Sequence, residues 1–182
     1  MKSISGLPAR DRILQTAHDL FYRHGIRATG IDRVIAESNV SKVTFYRHFP
    51  SKNDLILAYL EYRHQRWLAW FKEALERYGH DIHALAPALA EWFRNIDFRG
   101  CTFINTVGEL GNDLPAVIDA TRRHKEDMTA VISDLMLPRA NREELAKTLA
   151  VAIDGTIVRT QYDPTPENAL HALTQIVDAL VS

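Results

Sequence analysis

VSKVTFYRHFPSKNDL, residues 40–55, crowds two lysines, an arginine, a histidine and three aromatic residues into one short window. Ser41 is a natural N-cap for a short helix over 42–48, and Pro50 forbids its continuation. Ser51 then caps a further helix, expected to run to about residue 78, before Gly79. Within the short helix Phe45 and Phe49 are four apart and point inward as anchors. Lys42, Val43, Thr44, Tyr46, Arg47 and His48 are left to face outward.

Working back from that window, Asn39 tolerates the left-handed backbone that a tight turn needs. Val40 supplies the apolar residue expected to set the angle across the turn SNVS. The preceding stretch reads as a short helix with Thr29 as N-cap and Asp32 three residues on; Ile31, Val34 and Ile35 form its apolar side. Before it, Ile13, Leu14, Ala17, Leu20 and Phe21 share one face of a helix over about 9–24, which Gly25 stops. A longer amphipathic helix followed by two short ones across a tight turn is a helix-turn-helix module.

The residue types suit duplex DNA. Lys42 and Arg47 donate to guanine edges or phosphate, and Val43 and the Thr44 methyl fit a thymine methyl. Ser41, Tyr46 and His48 offer donors to phosphate oxygens, and Arg33 lies on the preceding helix within reach of the backbone beside the groove. Lys52 opens the next helix and Thr29 the second one, where backbone amides and the dipole favour an anion. Charge is distributed accordingly. The chain of 182 residues has a formal net charge of only -1, but residues 1–52 carry nine Lys and Arg against four Asp and Glu, and the remainder carries thirteen against nineteen. A basic head on an acidic body follows.

The rest of the chain also reads as helix, with no period-two alternation and no internal repeat, so the expected class is all-α with about nine helices. The expected domains are 1–52, a DNA-binding head, and 53–182, a ligand-binding and dimerisation body. Asp81 is expected to cap a helix over about 81–96 that Pro87 kinks or breaks, and Thr102 to start a short one through residue 110. Another helix follows Pro115, and two more run over about 141–161 and from Pro166 to the end. On the last two, Leu145, Leu149, Ala152, Ile153 and Ile157, with Gly155, and Ala169, Leu170, Leu173, Ile176, Val177 and Leu180 form apolar stripes. Periodicity alone leaves open whether these stripes face a second copy or the chain's own core.

RILQTAHDLFYRHGIRATGIDRVIAESNVSKVTFYRHFPSKNDLI, residues 12–56, resembles the N-terminal domain of the tetracycline-repressor (TetR) family of transcriptional regulators. The likeness is carried by Ala17, Phe21, Gly25, Thr29, Ile31, Val34, Val40-Ser41, Thr44, Phe45, Tyr46, His48, Phe49, Lys52 and Leu55. Asn39 departs from the usual glycine, and Ile35-Ala36 from the more frequent alanine and polar residue. The resemblance implies an all-helical homodimer joined through its last two helices. Its recognition helices would enter successive major grooves of a palindromic operator, about 34–36 Å apart. It also implies a small-molecule inducer in the body, with Trp67, Phe71, Trp92, Phe93, Cys101, Phe103, Asn105 and Glu109 as candidate ligand residues. RGCTFINTVGEL, residues 99–110, is similar to a Gly-Cys-x-Phe-x-Asn segment found in a subset of these regulators.

Competing readings are thinner. His80 and His83, three apart in HDIH, lack a compelling third metal ligand. A helical enzyme would have to work with His64, His80, His83, His124, Glu109 and Asp113, and no phosphate loop, nucleophile elbow or cofactor motif accompanies them. An activator or constitutive DNA binder would have the same head. Cys101 reads either as an inert buried thiol or as a sensor whose thiolate Arg99 stabilises. A single cysteine, no leader-like N-terminus and no membrane-length apolar run point to the cytoplasm.

Overall fold

The computed structural model describes residues 6–181; residues 1–5, part of the stretch read for a leader, and residue 182 lie outside it. Among the described residues there are nine α-helices and no strand: α1 Ala9–His24, α2 Ile31–Ser38, α3 Lys42–His48, α4 Lys52–Arg77, α5 Leu85–Phe93, α6 Thr102–Leu110, α7 Ala116–Asp134, α8 Arg142–Thr160 and α9 Glu167–Val181. None of these is long and apolar enough to cross a membrane.

The chain divides into two compact units, and the division does not follow a single cut at residue 52. The first unit holds the residues up to His64 together with Thr102–Ala120; the second holds Gln65–Cys101 and the residues from Thr121 onward. The first thus contains α6 and the beginning of α4 and α7. Local periodicity cannot announce this, because the contacts that bring α6 to the head are separated from it by tens of residues of chain.

In the first unit α1 packs against α2 and α3. Ile13, Leu14, Ala17, Leu20 and Phe21 are all buried, as their spacing requires. Phe45 and Phe49 are buried beneath α3, their rings 6.2 Å apart, with the Arg10 guanidinium 5.4 Å from the Phe49 ring. Leu55, Ile56, Tyr59 and Leu60 of α4 join this core, with Tyr59 edge-on to Phe21 at 5.4 Å. The Tyr59 hydroxyl lies 3.3 Å from Thr102 Oγ1 at the start of α6.

In the second unit α8 packs along α9, and α5 also contacts α9. Asp81 caps a 3-10 turn over Ile82–Ala84, accepting from the His83 N–H at 2.8 Å. The expected longer helix therefore starts at Leu85 and stops at Phe93. Pro87 marks the break: the 3-10 turn ends just before it and Pro87 sits in the first turn of α5, where no intrahelical N–H bond is needed. His80 pairs with Glu76 and His83 faces Asp178, at 2.9 and 3.5 Å. Among the described residues no three metal-ligating side chains come together.

Candidate nucleic-acid interface

Local chemistry builds the surface of α3. The Thr44 N–H donates to Ser41 Oγ at 3.1 Å, and the two hydroxyls are 2.9 Å apart, so the cap also orients Thr44. Asn39 takes the left-handed conformation, φ 51 and ψ 52, and ends α2. Arg12 of α1 then ties the turn down: it donates to the carbonyls of Ser38 at 3.1 Å, Asn39 at 3.2 Å and Leu7 at 3.0 Å. These are carbonyls at a helix C-terminus, which lack intrahelical partners and favour a cation.

With the turn pinned and both phenylalanines inward, Lys42, Val43, Tyr46 and Arg47 stand exposed on one side of α3, with Ser41 exposed before them. Thr44 and His48 are half-buried at its margins. Val43 is 71% exposed, an apolar side chain displayed rather than packed. Among the described residues neither Lys42 nor Arg47 forms an ion pair. Arg33 does so, with Glu37 one turn on at 2.7 Å.

Two residues expected at the phosphates, Thr29 and Lys52, also make hydrogen bonds within the protein. Thr29 is 0% exposed and its hydroxyl donates to the Gly25 carbonyl at 2.7 Å. The N-cap of α2 is Gly30, so Thr29 seals the α1–α2 loop and has no hydroxyl to offer an anion. Lys52 is half-buried and Nζ donates to the Ile26 carbonyl at 2.6 Å. Burial lowers its pKa and Arg27 lowers it further, against the opposing pull of Glu109. The loop is also gripped from α6: Glu109 Oε2 accepts the N–H groups of Ile26 and Arg27, each at 2.9 Å. The sequence does not reveal Arg12 and Arg27 as structural ties, or this role for Glu109, a candidate ligand residue, because nothing in their neighbourhoods marks partners 26 to 83 residues away.

The candidate ligand residues fall into both units. Trp67, Phe71, Trp92 and Phe93 belong to one aromatic cluster in the second. Trp67 stacks on Phe71 at 4.7 Å and meets Trp92 edge-on at 5.7 Å, and Trp92 lies 5.9 Å from Phe93. The His124 ring lies 5.1 Å from Trp67. Trp67 Nε1–H is buried and meets no acceptor among the described residues. The neighbouring Trp70 donates to Glu91 at 3.1 Å, alongside Arg77 and Tyr78. Desolvation pushes the Glu91 carboxyl up, but these three donors outweigh it and hold its pKa below the usual carboxylate range.

Cys101 is buried, and the cation 3.6 Å from its sulfur is Lys125, itself paired with Asp154. Arg99 instead donates to the carbonyls of Ile96 and Phe98. Phe103, Asn105 and Glu109 belong to the first unit, where Phe103 is buried and Glu109 holds the α1–α2 loop.

Of the two uses left open for the apolar stripes of α8 and α9, most of their residues serve the chain's own core. Leu145, Leu149, Ile153 and Ile157, with Ala169, Leu173 and Val177, are buried within the chain itself. A second stripe is exposed: Val151 at 73%, Gly155 and Val158 in step along α8, Tyr162 at 63% just beyond its end, and Ala172, Ile176 and Ala179 on α9. A side chain at Gly155 would point into open space, so another backbone can approach there closely.

Residues 13–59 match the family described as "Bacterial regulatory proteins, tetR family". The crystal structure of SCO4454, a TetR-family transcriptional regulator from Streptomyces coelicolor, is similar to this chain at 30% identity and a TM-score of 0.83, over 95% of this chain and 94% of that one. The TetR family transcriptional regulator CifR, as a cysteine mutant complexed with 26-bp double-strand operator DNA, shares the fold at 20% identity, with a TM-score of 0.77 over 93% and 96% of the two chains. The HTH-type transcriptional regulator SAB2452 of Staphylococcus aureus is 29% identical over 104 residues, 57% of this chain and 55% of that protein, so the match spans about half of that relative.

Proposed function

The chain belongs to the TetR family of bacterial regulatory proteins, and from that premise we propose that it is a DNA-binding transcriptional repressor, cytoplasmic, dimeric and released from a palindromic operator by a small-molecule inducer. The observation that carries the reading is the exposed Lys42, Val43, Tyr46 and Arg47 face, held by a side-chain cap, a pinned turn and two buried phenylalanines. Arg47 and Lys42 read guanine edges or grip phosphate. Val43 and the Thr44 methyl contact thymine, and Ser41, Tyr46 and His48 position the helix on the backbone. Arg33, partly neutralised by Glu37, is a peripheral phosphate contact.

The second copy docks on the exposed seam of α8 and α9, not on the stripes already consumed in the chain's own core. Val151, Val158 and Tyr162 supply its apolar area and Gly155 its close approach. The two symmetry-related α3 helices then read half-sites about one turn of DNA apart. For the inducer, Trp67 is the strongest single pointer. A buried indole N–H without an acceptor costs on the order of 1–3 kcal/mol, which a ligand oxygen or nitrogen would recover.

Selection of duplexes from a random DNA library by the purified protein tests the reading. Enrichment of a short palindrome, with log Kd rising about 0.9 per phosphate contact for each decade of salt, supports it. Failure to enrich any duplex at low ionic strength would refute it.

A further inference from the structure

The segment joining α1 to α2 is held by three side chains from far along the chain. Glu109, near the end of α6, accepts the N–H groups of Ile26 and Arg27 on a single carboxylate oxygen. Arg27 reciprocates, its Nε donating to the Glu109 carbonyl at 2.7 Å while its Nη2 pairs with Asp113. Lys52 takes the Ile26 carbonyl, and Ile26 itself is buried. Gly25 completes the fit. It has φ 82, and a Cβ there would lie 3.1 Å from Glu109 Oε1, so any other residue would be strained in backbone and would crowd the carboxylate.

α2 is thereby fixed at both ends by side chains outside it, at its start through this loop and at its end through Arg12. Because α3 follows α2 across a turn of only three residues, Asn39 to Ser41, the angle at which α3 is presented depends on both attachments. We propose that Glu109 is a positioning residue for DNA binding: its carboxylate locks the α1–α2 loop and so holds α3 in the orientation that reads the groove. The proposal rests on the DNA-binding reading above. It takes Glu109 out of ligand recognition and makes α6 the element through which the presentation of α3 is set.

The test uses the full-length protein and a duplex enriched by the wild type from a random library. Glu109→Ala is expected to speed amide exchange at Ile26 and Arg27 and to weaken duplex binding by about tenfold, the scale of one charge-assisted hydrogen bond. Glu109→Gln keeps an acceptor oxygen and the packing of α6, and is expected to show a smaller change in both readouts; it also serves if the alanine variant does not fold. Arg47→Ala is expected to lose binding with slow exchange at both amides intact, which separates reading the groove from holding the loop. Wild-type affinity in Glu109→Ala, or faster exchange without weaker binding, overturns the proposal. If the wild type enriches no duplex, the DNA reading fails and this proposal with it, whereas the exchange measurement still reports whether the loop is tied.

Discussion

α3 and α8 each present a helix face that their own chain leaves exposed, and the two faces differ in kind. On α3 the exposed side chains are Lys42, Tyr46 and Arg47, with Val43 the one aliphatic among them. On α8 the exposed aliphatics are Val151 and Val158 beside Gly155, with Tyr162 just past the helix end under the Arg159 guanidinium, 5.4 Å from its ring. A row of donors and cations is stable in water and gains by meeting a polyanion. An apolar row gains by leaving water, and symmetry makes a second copy the partner always at hand. In the proposed dimer the two faces work together, because two weak half-site contacts would become strong through high effective concentration.

The contrast can be broken at either end. The largest effect is expected from Val158→Arg, which places an unpaired cation twice in the proposed seam. A cost of about 3–5 kcal/mol should render the protein monomeric in sedimentation analysis, and duplex affinity should collapse with it. Phe45→Ala attacks the other end from beneath. Loss of a fully buried ring costs about 3–5 kcal/mol, enough to disorder the head, while the dimer persists on the same sedimentation readout.

Arg47→Ala sharpens the comparison without damaging either fold: affinity should fall by about 1–3 kcal/mol per half-site in a fluorescence anisotropy titration, with dimerisation and melting temperature unchanged. Ser41→Ala removes the cap of α3 and should lower thermal stability by about 1 kcal/mol. The smallest effect is expected far from both faces. The folded-state pKa of Glu91 is depressed, so its contribution is present above the ordinary value of 4.5 and fades as pH falls through the folded one. Wild type and Glu91→Gln should therefore differ in melting temperature at neutral pH and converge in acid.

Legibility followed the range of the interactions. The cap at Ser41, the left-handed Asn39, the inward Phe45 and Phe49 and the limits of α3 are written within a few residues of one another, and the structure has them as expected. Thr29 illustrates a near miss. A threonine before an apolar run has the chemistry of a cap, but the loop turned one residue later and the hydroxyl found the Gly25 carbonyl instead. Lys52 and Glu109 show the harder limit, because a helix start or a family segment does not reveal the backbone groups, 26 and 83 residues away, that these side chains meet.

Residue order alone settles the all-helical class, the cap and limits of α3, the basic head and the family resemblance, because each depends on composition or on spacing within a turn or two. Which face of α8 is spent internally, which cations remain exposed, and which distant carboxylate holds the α1–α2 loop emerge only once the chain has closed on itself. Burial and pairing are properties of neighbours in space, and nothing local in the order of residues names those neighbours in advance.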